Sequence, residues 1–204
     1  SAVHKITDQR VLSEIVKNDK ENYVRITAIS NITDQNVLKD IVKYEKVDYV
    51  REEALKKITD QNFVYDIVKN DKNDYLRKEA IKKITDQAIL TEIAKNDKES
   101  SVRAIAFEKV TDQENIRDIA RNARDADTRV AAINKITDQT VLSEIAKNDK
   151  DNSVRNKAFE EITDQLYLTD IAINGIESTM RKKAIEKITD QVVLAKIAKN
   201  DKEN

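Results

Sequence analysis

Ile32-Thr33-Asp34-Gln35 decides the fold, because the chain returns to it at a fixed interval. Thr-Asp-Gln begins at Thr7, Thr33, Thr59, Thr85, Thr111, Thr137, Thr163 and Thr189, each 26 residues after the last. A constant period of this length is the signature of a solenoid, in which one supersecondary unit stacks on copies of itself. The reading is of a single quasi-linear array over 1–204 with no boundary inside it. Its copies start at those eight threonines, and both ends are partial.

Working outward from each Thr, taken as position 1, position 9 is Ile in all eight copies, from Ile15 to Ile197. Position 6 is Leu, Val or Ile throughout (Leu12, Leu38, Val64), and positions 5 and 10 are mostly aliphatic. Apolar residues at i, i+1, i+4 and i+5 predict one buried face of a helix of about ten residues. Thr is the expected N-cap. The preceding Ile and position 5 then form a hydrophobic staple, for example Ile32 with Val37, and Asp34 sits at the positive end of the helix dipole. Asn18 and its equivalents at position 12 are expected to end the helix as left-handed caps.

A second helix is predicted to open near position 16, where Asn22, Asp48, Asp74, Ser100, Asn152 and Ser178 are capping types. Its buried face runs through positions 18, 22, 23 and 26: Val50, Ala54, Leu55 and Ile58 in one copy. Position 22 is Ala in every full copy, so close helix approach is expected there. The fold class is therefore all-α, a stack of about eight 26-residue helical hairpins. Helices this short are marginal alone, below the about 12–15 residues an isolated helix needs.

Composition narrows the functional classes. Charged residues make up 37% of the chain, yet the net charge is −1, so no global field selects a polyanion. There is no Cys for a disulfide framework, no Pro, and one Gly, Gly175. No apolar run approaches the about 20 residues of a membrane span, and nothing reads as a signal peptide. A soluble chain is expected, with the cytoplasm favoured. The chain enters partway through a second helix at Ala2-Val3 and leaves at Asn204 before another would start. Neither end carries a distinct polar cap, so a segment of a longer array, or self-association through the ends, is expected.

The loop residues add a resemblance. Asp19, then Val24-Arg25, then Ala28-Ile29 is similar to the HEAT repeat pattern, and it recurs at Asp71, Leu76, Arg77; at Asp97, Val102, Arg103; and at Asp149, Val154, Arg155. The resemblance covers the whole chain. It implies a right-handed α-α superhelix, with Asp and Arg forming a structural ladder that ties repeats together. HEAT units are longer and carry a helix-bending Pro. The short period also resembles leucine-rich variant repeats, which would make one helix of each pair 3₁₀. Glu45 replaces the ladder Asp in one copy, and Ala123 and Gly175 break it in two more, leaving Arg129 and Arg181 without that local partner.

Catalytic chemistry is poorly provided for. His4 is the single His, so no His-based triad or His metal cluster fits within one chain. Carboxylates recur at positions that helix pairing explains, as in Glu14–Lys17 and Asp40–Lys43, and none is singled out as an acid or base. No glycine-rich phosphate loop exists. The expectation is of no enzyme, no cofactor and no metal.

Binding is the reading left. Tyr23, Tyr49 and Tyr75 share position 17 in three successive copies, either as an interface ladder or as ring-on-ring packing, which is favoured. Positions 20 and 21 are charged or polar in most copies, but Ala104-Ile105 and Val130-Ala131 are apolar, and Ile26 departs similarly; these form the second candidate contact. Ile173, Gly175 and Ile176 in copy seven are either a further patch or drift in a tolerant loop. The basic positions 11 and 14 (Lys17, Lys20, Lys43, Lys46, Lys69, Lys72) form a lysine edge that could track phosphates, with a merely solvated edge favoured over nucleic-acid binding. The function expected is protein–protein interaction or structural spacing, with a polyanion-binding module as the alternative.

Overall fold

The computed structural model describes residues 2–175 and 177–200. Fifteen α-helices lie among them, with a 3₁₀ turn at Ala2–Lys5 ahead of the first and no strand. The first helices of the repeats, odd-numbered α1 to α15, span Gln9–Asn18, Gln35–Tyr44, Gln61–Asn70, Gln87–Asn96, Gln113–Asn122, Gln139–Asn148, Gln165–Asn174 and Gln191–Asn200. The second helices, even-numbered α2 to α14, span Asn22–Asn31, Asp48–Lys57, Asp74–Lys83, Ser100–Glu108, Ala126–Ile133, Asn152–Glu160 and Ser178–Lys187. Both helices of each pair are α-helical, so the 3₁₀ alternative is set aside. The chain is an all-α helical repeat.

It divides into two compact units, residues 1–93 with 97–109, and residues 94–96 with 110–204. In the first, α1 pairs with α2, α3 with α4 and α5 with α6, while α2, α4, α6 and α8 pack in succession. In the second, the pairs are α9 with α10, α11 with α12 and α13 with α14, and α10 packs on α12. The core of each unit is the face that the apolar period marks: Leu38, Val42, Val50, Ala54, Leu55 and Ile58 are all buried. The seven position-22 alanines, Ala28 to Ala184, have no exposed surface at all. A larger side chain there would have to displace a neighbouring helix, since interiors are packed without spare volume.

Three local expectations are corrected. The N-cap of each first helix is Asp, one residue later than Thr. Asp34 Oδ1 accepts the N–H groups of Asn36 and Val37 at 2.8 and 3.4 Å, and Asp8, Asp60, Asp86 and Asp138 do the same. A carboxylate accepts these orphan donors with charge assistance and favours the dipole's positive end. Val37 is therefore N3, and Leu38 holds the N4 position.

The first helix ends without any left-handed residue. No described residue has positive φ; the chain turns extended at position 13, with φ −71° at Asp19. The Asn at position 12 instead donates its side-chain amide back one turn, Asn18 to Glu14 at 3.0 Å and Asn70 to Asp66 at 2.7 Å. The second helix is capped from position 15, not 16. Asn73 accepts from Leu76 N–H at 3.1 Å, and Asp151 from Ser153 and Val154.

The Gln of each motif has a role that its sequence position does not announce. Gln61 Nε2 donates to the Lys83 carbonyl at the end of its own repeat's second helix (3.1 Å), and its Oε1 accepts the N–H of Thr85, which opens the next repeat (3.1 Å). Gln9, Gln35, Gln139 and Gln165 make the same two bonds. The amide is suited to this because one side chain offers both a donor and an acceptor. From the other side, Lys57 Nζ donates to the carbonyls of Ile29 and Ser30 at the preceding second helix's C-terminus (3.0 and 2.6 Å), and Lys109 does so to Ile81 and Lys82. Burial lowers the pKa of Lys57 and Lys109. Substituting Gln61→Ala strips partners from one backbone carbonyl and one N–H, and about 1–3 kcal/mol of stability is expected to go with them. Urea unfolding followed by circular dichroism measures it.

Candidate functional site

The loop between the two helices of each repeat builds the surface of most interest. Its frame is the position-13 acid. Asp71 Oδ1 accepts the N–H of Asn73 at 2.9 Å, and Asp97 and Asp149 likewise take the N–H two residues on. An Arg from the preceding repeat reaches this carboxylate at Glu45, Asp71 and Asp149, and reaches Glu177, two residues on, where Gly175 holds position 13; Arg77 instead pairs with Asp74 on its own helix. Arg25 meets Glu45 at 3.0 Å and Arg51 pairs with Asp71 in the first unit. In the second, Arg129 grips Asp149 with Nε and Nη2 at 2.8 and 2.9 Å, and Arg155 pairs with Glu177.

The Arg also donates to its own repeat's position-13 carbonyl: Arg77 to Asp71, Arg103 to Asp97, Arg129 to Ala123 and Arg181 to Gly175. Arg129 has no local Asp at position 13, and it takes the Ala123 carbonyl locally and Asp149 of the next copy instead. The local bond goes to a backbone carbonyl that every residue possesses, and the ion pair runs forward to the next copy. Gly175 keeps the carbonyl for Arg181. A cavity of about 280 Å³ lies beside Gly175, lined by Lys147, Asp149, Arg155, Glu177 and Met180.

With the position-13 acids and the arginines engaged in the frame, other groups face solvent. Tyr23, Tyr49 and Tyr75 are 67%, 45% and 56% exposed, and Tyr44 is 75% exposed. These rings stand out on the surface of the first unit. The basic edge does not behave as one row. In the second unit the position-11 bases cross to the next repeat's position-8 acid: Lys95 to Asp118 at 2.8 Å, Arg121 to Glu144 at 2.7 Å, Lys147 to Asp170 at 2.6 Å. In the first unit Lys17 takes the expected partner Glu14 at 3.6 Å, while Asp40 and Lys43 form no such pair and Lys43 stands 5.5 Å from the Phe63 ring centre. Position 14 differs throughout that unit. Lys20, Lys46, Lys72 and Lys98 are exposed and make no ion pair among the described residues.

The apolar candidates fall in different units. Ala104 is exposed and Ile105 half-buried in the first, and Val130 and Ala131 are half-buried in the second. Ile26 is half-buried. Ile173 is 60% exposed and borders a groove of about 720 Å³ with Ala172, Ile185, Val193 and Ile197; Ile176 lies outside the described residues.

Charge placement in this frame is structural. The Lys147 ammonium and the Asn174 amide hold Asp170 below the usual carboxylate range, and Lys39 does the same to Asp60. A depressed acid of this kind remains a carboxylate at neutral pH and cannot serve as a proton donor there. His4 is exposed, and no group of three or more His, Cys, Asp or Glu residues is placed to hold a metal among the described residues. No helix there is long and apolar enough to cross a membrane. Compared with known families and with curated proteins, the chain matches no family model and no curated sequence.

Proposed function

We propose that this chain is a HEAT-like, non-enzymatic scaffold that binds other proteins along the loop edge of its repeats. The exposure of Tyr23, Tyr49 and Tyr75 on one edge of one unit carries the reading. An exposed Tyr offers a broad apolar ring with a polar tip at small entropic cost, which is why the residue is enriched where proteins meet. The short, doubly clasped loops support it too, because a rigid frame presents side chains already positioned. The apolar turn at Ala104-Ile105, and in the other unit that at Val130-Ala131, are the second candidate contacts. The alternative reading, a polyanion-binding module, draws on the unpaired position-14 lysines.

Affinity capture with the full chain separates these readings. Partners held by the parent are expected to be lost from a Tyr23→Ala/Tyr49→Ala/Tyr75→Ala variant of unchanged helix content, or from Ile105→Asp. Retention of every partner by both variants contradicts the proposal. Binding of heparin or DNA that collapses as salt rises favours the alternative.

A further inference from the structure

We infer that the loop edge of the first unit is a docking track for an extended acidic peptide whose carboxylates recur at every third residue. The inference rests on the protein-binding reading above and names the class of partner.

The track is defined by what the ladder leaves over. In two loops of the first unit the position-13 acid is turned inward, with the side chains of Glu45 and Asp71 only 7% and 8% exposed against their arginines, while Asp19 and Asp97 are half-buried and take the N–H two residues on. The lysine directly after the position-13 acid points out and is unpaired: Lys20, Lys46, Lys72 and Lys98. Three residues later, at the start of the second helix, stands an exposed ring in three of the four copies, Tyr23, Tyr49 and Tyr75. The surface therefore repeats a cation and an aromatic once per 26 residues, in a fixed order.

The period selects the ligand. Packed helices lie about 8–10 Å apart, so successive lysines are separated by about that distance along the stack. An extended peptide advances about 3.3–3.6 Å per residue, and three residues cover about 10 Å. Carboxylates at every third residue can thus meet successive lysines, while the residues between them lie against the tyrosine rings. Each loop also carries an exposed or half-exposed acid near its lysine: Glu21, Asp48, Asp74 and Glu99. A uniformly charged phosphate backbone would lie against those acids as well as the lysines. A peptide with neutral residues between its carboxylates avoids them, so the alternating charge pattern fits the peptide better than a nucleic acid.

The test uses the full chain and a fluorescein-labelled peptide of about ten residues with Asp at every third position and Ser and Ala between. Two controls are the same composition with the aspartates contiguous and an oligothymidylate of similar length. Fluorescence anisotropy at about 0.02 M and about 0.15 M salt gives the affinities, surface pairs being screened at the higher value. The spaced peptide is expected to bind most tightly. Reversing Lys20, Lys46, Lys72 and Lys98 to Glu is expected to weaken it about thirty-fold or more, from four exposed pairs of about 0.5 kcal/mol each. Changing Tyr23, Tyr49 and Tyr75 to Ser, which leaves every charge in place, is expected to weaken it about ten-fold. Equal binding of the spaced and contiguous peptides, or no loss in the lysine variant of unchanged helix content, overturns the inference. If neither peptide binds while Ile105→Asp still abolishes capture of partners, the track is refuted and the scaffold reading stands. Tighter binding of the oligothymidylate, lost on lysine reversal, refutes both.

Discussion

Arg129→Ala is expected to cost about 3–5 kcal/mol, more than any substitution on the surface of the molecule. The Arg129 and Asp149 side chains are 2% and 6% exposed, and the guanidinium binds the carboxylate through two parallel bonds while a third reaches the Ala123 carbonyl. Removing the arginine leaves a buried carboxylate without its counter-charge and a buried carbonyl without its donor. Burying such a charge alone is what makes the change severe, since the pair itself gains little over well-packed apolar groups. The double variant Arg129→Met/Asp149→Leu is accordingly expected to recover much of the loss. By contrast, Lys56→Ala, which removes an exposed partner of Glu52 and Glu53, is expected to stay within about 0.5 kcal/mol of the parent. Urea denaturation followed by circular dichroism ranks the three variants. An Arg129→Ala midpoint equal to that of Lys56→Ala would mean the ladder is not structural.

Leu55→Ala is expected to cost about 2–5 kcal/mol. Leu55 is 1% exposed on α4, among the second helices that pack in succession as α2, α4 and α6. A cavity there removes contacts that the short helices have no means of replacing. Tyr49, on the same helix, is 45% exposed, and Tyr49→Ala is expected to change stability by no more than about 0.5 kcal/mol. Thermal unfolding of the two variants thus tests whether α4 has one face committed to the stack and another open to partners. Comparable losses at Leu55 and Tyr49 would contradict that division.

The architecture was legible because a period survives in the sequence whatever the packing details. Positions 6, 9, 18, 22, 23 and 26 announced the buried faces, and the constant alanine announced close approach. Cap assignments were less legible. Thr33 and Asp34 are both capping types, and only the geometry shows that Asp34 takes the free N–H groups while Thr33 gives its own to Gln9. Asn18 looked like a left-handed cap, but an extended residue with a side-chain acceptor, Asp19, ends the helix at less conformational cost.

The Gln and Lys clasps were missed for a different reason. Their partners are backbone groups 22 to 28 residues away, and a carbonyl has no signature in a sequence. Invariance of Gln across eight copies was the one available signal, since helix propensity alone does not require Gln at N1. For the candidate site, sequence placed the tyrosines on one edge but could not tell exposed rings from packed ones. Nor could it tell that the position-11 bases of the second unit cross to the next repeat, or that in the first unit the position-14 lysines are the ones left exposed and unpaired.

The central claim is that no 26-residue unit is stable except against its neighbours, because its short helices bury their faces against adjacent copies and the Gln, Lys and several of the Arg side chains reach groups of an adjacent copy. Circular dichroism of the isolated peptide 33–58, compared with the full chain, tests it most directly. The expected result is a largely unstructured peptide with no cooperative thermal transition, beside a chain that is helical and melts cooperatively. A monomeric peptide as helical as the chain, with a transition of its own, would contradict the account.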